Sequence, residues 1–343
     1  MEWMVIGAGP AGIAAVGKLI DQGIPPEKIG WMDPHFRVGD LGDKWNRVSS
    51  NTKVELFHRF LSCKAFGYDR RPKSFPLDHL DPQQTCELQN IVDPLQWVTD
   101  QLKAKVKSFH EFALGLNLIN NHWEIKTKNH LHRAKNVILA IGAEPKLLNF
   151  PDKKVIPLEA ALNFDKLSQL VHPQDTIGVF GASHSAILIL ASLNKIQPKS
   201  IINFYRSPHL YAIDYGDWIL FDNTGLKGYA AEWAKKHLDG ALPKNMVRIL
   251  SSDHTFAEVM AQCDKVIYAV GFQTRELPTL EQFEKLEYND KTGIIAPGLF
   301  GLGIAFPEVQ YDKFMNLEVR VGLWKFMDYL NRILPIWLSY SNK

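Results

Sequence analysis

At 343 residues, with 46% hydrophobic and 22% charged side chains, the chain is long enough for two domains with separate cores and reads as an ordinary globular protein. Its formal net charge of +2 is too small to argue for a nucleic-acid partner or an acidic membrane surface. Cys63, Cys86 and Cys263 are widely separated and form no Cys-x-x-Cys, which excludes a redox dithiol of neighbouring cysteines, argues against a disulfide framework, and fits a reducing, cytoplasmic setting.

The first strand begins near Trp3, which leaves no room for a cleavable signal peptide ahead of it. It runs into Gly7-Ala-Gly9-Pro10-Ala11-Gly12 and then a helix from Ile13 to Gln22. Gly7 suits a tight turn, Gly9 a close approach of backbone to phosphate, and Gly12 close helix-on-strand packing, so a dinucleotide pyrophosphate can sit on the helix N-terminus. A second apolar run, Lys28 to Met32, ends at Asp33-Pro34, about twenty residues on, where an acid accepts from ribose hydroxyls. The alternative is a glycine-rich turn beside an ordinary surface acid.

A long polar and aromatic stretch follows from Pro34 to Val92, a length that implies function or short elements of its own. Asp93-Pro94 reads as a cap and first-turn proline for a helix reaching Lys107, with strands at Phe109 to Leu118 and Trp123 to Thr127. Asn136 to Ala140 is an apolar strand ending in Ile141-Gly142. The opening pattern then restarts: a strand from Asp175 to Phe180, a turn Gly181-Ala-Ser183-His184-Ser185-Ala186, a helix, and a strand Ser200 to Tyr205 closing on Arg206. Ser183 and Ala186 stand where the second and third glycines would be, and small residues still meet their requirements. Arg206 in place of the acid favours the 2′-phosphate of NADPH, unless it is a solvated surface charge. A last strand from Lys265 ends at Val270-Gly271, and the chain returns through Gly298 to Gly303. The final stretch, Val319 to Tyr340, carries an apolar stripe at helical spacing until Pro335 interrupts it. It is expected to pack on its own domain, with contact to a membrane or a partner chain as the alternative.

Two such turns let one chain hold two dinucleotides. These residues resemble the two-dinucleotide flavoprotein oxidoreductases of the pyridine nucleotide-disulfide oxidoreductase superfamily, and the resemblance covers essentially the whole chain. It implies an α/β fold of two Rossmann-like domains: an FAD-binding domain in residues 1–147, an inserted NAD(P)H-binding domain in 148–271, and a return with the terminal helix in 272–343. Ile138-Leu-Ala140-Ile-Gly142-x-x-Pro145 and Tyr268-Ala-Val-Gly271 resemble the family's crossings between domains. Leu41-Gly42-Asp-Lys-Trp45, followed by Ser50-Asn51-Thr52, resembles the flavin-containing monooxygenase-like branch, in which an asparagine at the position of Asn51 lies near the flavin ring. Asn51 is therefore the candidate catalytic residue, although an asparagine in such a run is equally a turn former.

Two departures bear on the reaction. The monooxygenases carry a phenylalanine-glycine-histidine fingerprint, whereas Asn149 to Leu158 has no glycine or histidine in register. Disulfide-reductase relatives place an aspartate after the last glycine, whereas Gly303 is followed by Ile304-Ala305-Phe306. The expectation is an FAD enzyme that takes hydride from NADPH and passes electrons to O2, oxygenating a small apolar, amine- or sulfide-type substrate. Its alternatives are a reductase of another acceptor and a non-catalytic flavin-binding partner protein. No metal site is expected, the oligomeric state is open, His58 is expected to be an ordinary histidine, and His184, inside the phosphate-facing turn, is a candidate contact of NADPH.

Overall fold

The computed structural model describes residues 1–150, 152–280, 282–283 and 287–341. Pro151, inside the segment compared with the monooxygenase fingerprint, lies outside them. Contacts along the chain define two units: Met1–Asn46, Thr52–Ala143 and the chain from Thr274 onward form the first, and Arg47–Asn51 with Glu144–Gln273 form the second. The divisions fall at 143/144 and 273/274, where the sequence reading had 147/148 and 271/272. Nothing in the hydrophobic pattern marks Arg47–Asn51 as belonging with the later segment.

In the first unit, β1 (Trp3–Ile6) is buried along its whole length and leads directly into α1 (Pro10–Asp21), which has Gly9 as N-cap and proline in its first turn. A continuous apolar strand of this kind belongs in the middle of a sheet covered on both faces. β2 (Ile29–Met32) follows, and then α2 (Val54–Leu61) and α3 (Gln89–Lys103). α3 begins ahead of Pro94, where the sequence predicted its start. Asp93 caps nothing; it accepts from Gln89 Nε2 at 2.5 Å, and Pro94 lies inside the helix. Ile91 and Val92 are buried beside Leu95, Val98 and Leu102, and that burial outweighs the backbone bond a proline forfeits.

The single strand expected from Phe109 to Leu118 is two, β3 (Lys107–Phe109) and β4 (Gly115–Ile119), with residues 110–114 crossing between them. β5 (His122–Lys126) pairs back on β4 through Asn120 and Asn121, both at positive φ, the conformation of a two-residue hairpin turn. β6 (Leu131–Ala134) and β7 (Asn136–Leu139) follow.

The second unit is a five-stranded sheet whose strand pairs are all parallel. Its strands are β8 (Lys154–Val155), β9 (Thr176–Phe180), β10 (Ser200–Tyr205), β11 (Met246–Leu250) and β12 (Lys265–Tyr268), in the order β8-β12-β9-β10-β11. α4 (His184–Ile196) connects β9 to β10. Back in the first unit, β13 (Ile294–Ala296) and β14 (Leu299–Gly301) complete a six-stranded sheet in the order β13-β14-β7-β1-β2-β3. The architecture is α/β: the sheet of the second unit is all parallel, and that of the first is parallel apart from its antiparallel β13–β14 pair.

β15 (Glu308–Tyr311) and β16 (Leu317–Arg320) form an antiparallel ribbon before α5 (Leu323–Ser341). α5 continues through Pro335 instead of stopping there. The reason is Trp337, fully buried beyond the proline, which stacks on Phe300 at 4.6 Å and donates to the Thr292 carbonyl at 2.7 Å. Met327, Leu330, Ile333 and Leu334 bury the rest of the stripe in the same core as α1. Among the described residues no helix is long and apolar enough to cross a membrane.

Trp337→Ala is expected to cost about 3–5 kcal/mol of stability, read by urea unfolding, because the cavity cannot close against a helix held on both sides. Glu308, 3% exposed at the root of the ribbon, accepts from Arg320 and Arg332 at 2.7 Å. Burial alone would raise its carboxyl; the two guanidiniums outweigh that and hold it below the usual glutamate range. A depressed folded pKa stabilises above the unfolded value and stops doing so as pH falls through the folded one. Acidification below about pH 4 should therefore lower the melting temperature, and the Glu308→Gln protein should lose part of that dependence.

Candidate functional site

The first glycine turn is held by backbone on every side. Gly7 sits at φ +108°, and a Cβ there would lie 2.2 Å from the Ala140 carbonyl oxygen. A Cβ on Gly12 would lie 1.9 Å from the oxygen of Gly7, so the helix can start this close to the strand only without one. Gly9 has open space where a side chain would be, with only the Val38 oxygen at 3.9 Å. α1 has no side-chain cap, and the first helical bond runs from Ile13 to Gly9, which leaves the Ala11 and Gly12 N–H groups for an anion. Gly303 plays a supporting part, since a Cβ there would lie 2.6 Å from that of Ala11.

Asp33 stands at the end of β2 as expected, and part of its work is internal. One carboxylate oxygen accepts from the Ala8 N–H at 2.8 Å, and the other from His35 at 2.8 Å and Phe36 at 2.7 Å. Acceptor capacity remains on the oxygen bonded to Ala8. Gly7, Asp33, exposed Pro34, Arg37, Glu111, Phe112 and Arg275 are among the residues around a cavity of about 460 Å³, within the range of small-molecule sites.

The second turn repeats the first, atom for atom. In the first, Gly7 N–H donates to Met32 and Ala140 N–H to Ile6; in the second, Gly181 N–H donates to Phe204 and Ala269 N–H to Phe180, all at 2.8–2.9 Å. Gly181 is at φ +126°, and a Cβ there would lie 2.3 Å from the Ala269 oxygen, as Gly7 meets Ala140. Ser183 is the exposed N-cap of α4 with no side-chain cap bond, and Ile187 bonds back to Ser183, so the N–H groups of His184, Ser185 and Ala186 are left for a ligand. Gly142 and Gly271, both at positive φ, follow the two buried alanines Ala140 and Ala269 in the same relation.

Two residues absent from the sequence reading complete the pattern. Val5 pairs with Trp31 and Val179 with Asn203, so Trp31 and Asn203 occupy equivalent register positions. Each donates to the carbonyl of its turn glycine: Trp31 Nε1 to Gly7 at 2.9 Å and Asn203 Nδ2 to Gly181 at 2.8 Å. Asn203 is fully buried, also reaches the Val179 carbonyl at 3.1 Å, and accepts from Arg248 Nε at 3.0 Å. The same register makes Tyr205, not Arg206, the counterpart of Asp33. Arg248 lies over the Tyr205 ring at 4.4 Å, and its buried Nη2 has no hydrogen-bond partner among the described residues. The second unit thus has an aromatic ring backed by a guanidinium where the first has a carboxylate, with exposed Arg206 next in the chain. The only signal for this was β-register, which needs the pairing itself.

The His184 side chain has a partner inside the protein, while its backbone N–H stays among those left for a ligand. Its Nε2 is 2.8 Å from the Ser49 carbonyl, an acceptor only, so Nε2 carries the proton. Burial pushes its pKa below the usual histidine value; the Ser49 bond opposes this and the Lys227 charge adds to it. Neutral His184 therefore ties the 47–51 segment to the start of α4. Within that segment Ser50 is buried and Asn51 half-buried. Trp45 belongs to the first unit and Asn51 to the second.

No protein-family model matches the chain. Monooxygenase AgnR1 of Paecilomyces divaricatus is 32% identical to it, over 98% of this chain and 97% of that one. The chain belongs to that monooxygenase family. A monooxygenase relative is what Gly42, Trp45 and Asn51 led one to expect. Among solved structures, the flavin-containing monooxygenase of Stenotrophomonas maltophilia matches with a TM-score of 0.67 at 14% identity, covering 99% of this chain and 98% of that one. Thioredoxin reductase of Lactococcus lactis matches with a TM-score of 0.60 at 14% identity, covering 99% of each. At such identities the likeness is one of fold.

The dithiol of a disulfide reductase has no counterpart here. All three cysteines are free, and burial pushes the thiol of Cys63 up to about 12 and those of Cys86 and Cys263 up to about 11, so they stay protonated.

Asn203→Leu removes the donor to Gly181 and leaves Arg248 Nε without its acceptor. It is expected to cost about 1–3 kcal/mol in urea unfolding, and the isosteric Asn203→Asp, which keeps the acceptor for Arg248 but turns a carboxylate oxygen toward the Val179 and Gly181 carbonyls, is expected to destabilise as well.

Proposed function

We propose that the chain binds FAD on its first turn and NADPH on its second, takes hydride from NADPH, and passes the electrons to O2 with oxygenation of a small apolar, amine- or sulfide-type substrate. The observation that carries this reading is a pair of turns built alike and charged oppositely at the following strand end. Free ribose hydroxyls suit the Asp33 carboxylate, and a 2′-phosphate suits Arg248 and Arg206.

The residues fit these groups. Gly9 leaves open the space a side chain would fill, the uncapped starts of α1 and α4 offer N–H groups to a pyrophosphate, and the cavity beside Asp33 can take an adenosine. A bound flavin supplies the redox chemistry. Trp31 and Asn203 fix the two turn carbonyls, so each cradle is preorganised before a ligand arrives. The Asn51 carboxamide can donate to and accept from a reacting oxygen species without adding a competing acid. His184 supports it by holding Ser49, two residues earlier. Hydride transfer asks for no catalytic base, which agrees with the lack of a triad in the sequence.

One observation favours a second reading, a reductase of another acceptor: the missing glycine and histidine between Asn149 and Leu158. Anaerobic mixing with NADPH followed by 18O2 and methyl phenyl sulfide separates the two. Label in the sulfoxide supports oxygenation; flavin bleaching without label supports the reductase, and a flavin that never bleaches overturns both. Arg248→Ala and Arg206→Ala should each raise KM for NADPH about 10-fold or more while leaving KM for NADH nearly unchanged, the loss of one charge-assisted phosphate contact. Asn51→Ala should keep the rate of flavin reduction and divert NADPH oxidation to hydrogen peroxide.

A further inference from the structure

Where Glu111 lines the first-unit cavity, three metal-ligating side chains converge. Glu111 comes from the 110–114 crossing, and His130 and His132 come from the turn and second strand of the β5–β6 hairpin. Their ligand atoms all lie within 4.8 Å of one another. One Glu111 oxygen is 3.1 Å from His130 Nδ1, and the other is 3.3 Å from His132 Nε2.

We propose that Glu111, His130 and His132 bind one divalent transition ion of the Zn2+ class, which clamps the cavity wall to the hairpin. The set has two imidazole nitrogens and one carboxylate, a composition that suits Zn2+, Co2+ or Ni2+ better than the all-oxygen surroundings of Mg2+ or Ca2+. Three protein ligands leave a fourth position for water. Bonds of about 2.0–2.2 Å to each atom require side-chain shifts of about an ångström or less from the present spacing.

The surroundings hold the ligands in place. The His132 ring packs on Phe109 at 4.4 Å and its side chain is 12% exposed, which fixes the direction of Nε2. His130 N–H donates to Thr127 Oγ1 at 3.0 Å and Thr127 N–H to the His130 carbonyl at 3.0 Å, so the turn presents His130 from a closed loop. His130 itself is 62% exposed and gives the ion its way in. Glu111 and its neighbours Phe112, Ala113 and Leu114 all border the cavity that also contains Asp33. An ion on Glu111 therefore stiffens one wall of the cavity. This site is independent of the oxygenation reading: it needs only the fold of the first unit.

The test is titration of the purified, EDTA-treated full chain with Co2+, followed in the visible, and with Zn2+, followed by thermal melting. One equivalent of Co2+ should give a ligand-field spectrum of a four- or five-coordinate nitrogen–oxygen site, displaced by Zn2+, and Zn2+ should raise the melting temperature. His130→Ala, a change at an exposed turn that leaves the core intact, should weaken Co2+ binding at least 10-fold and abolish the Zn2+ shift; Glu111→Gln should do the same. A spectrum and a melting shift that persist in both variants would place binding elsewhere and overturn the proposal. So would the spectrum of a hexaaqua ion in the unaltered chain.

Discussion

The structure depends on one close approach made twice: a turn glycine pressed against the carbonyl of a buried alanine on the neighbouring strand. Gly7 meets Ala140 and Gly181 meets Ala269, each at a positive φ that a side chain would strain. Once that approach is made, the helix must begin immediately after the strand, with its N–H groups aimed at the same spot. The parallel sheet and the anion cradle are thus a single geometric event in each unit. The polar ties around it are what make the event rigid. A carbonyl at the bottom of a turn has two lone pairs, and one left bare in a buried place costs about as much as a lost hydrogen bond. Trp31 and Asn203 meet that need with different chemistry from the same register position.

That difference explains what could be read in the sequence. The glycines, Asp33 and Arg206 have fixed chain offsets from their strands, and a local pattern carries them. Trp31 and Asn203 have no motif: one is an aromatic in an apolar run, the other a polar residue inside a strand. A buried Asn203 in Ser200–Tyr205 is a local contradiction, and it marks a site whose reason lies across the sheet. Arg248 is further out of reach, since it meets Asn203 only because β11 pairs with β10. Both helix-end errors share a cause. Pro94 and Pro335 look like boundaries from local rules, and both lie inside helices because large apolar residues on their far side are already committed to the core.

The segment Arg47–Asn51 was legible only as a resemblance. Its residues are small and polar, with no periodicity to place them, and its position is set by the His184 bond to Ser49. Placing a histidine at the first helical position, where a phosphate-facing role is the simple expectation, hides that its ring points to a neighbouring backbone. Neutral and half-buried, it is better suited to hold a chain segment than to meet a phosphate, which a charged imidazole would do.

The two turns also differ in tightness, and this accounts for the degraded second motif. In the first, a Cβ at Gly12 would sit 1.9 Å from the Gly7 oxygen, a contact no small shift relieves. In the second, Ala186 occupies the same place with its Cβ buried and only 3.2 Å from where a Cβ on Gly181 would be. The second turn therefore has room for one methyl group where the first has none. Ser183, likewise, replaces a glycine at the N-cap because its side chain is exposed and makes no bond to the helix. The requirement that survives in both copies is therefore the first glycine alone. At the other two places the second turn has room for an alanine and an exposed serine, which is why a search for three glycines finds one turn and misses the other.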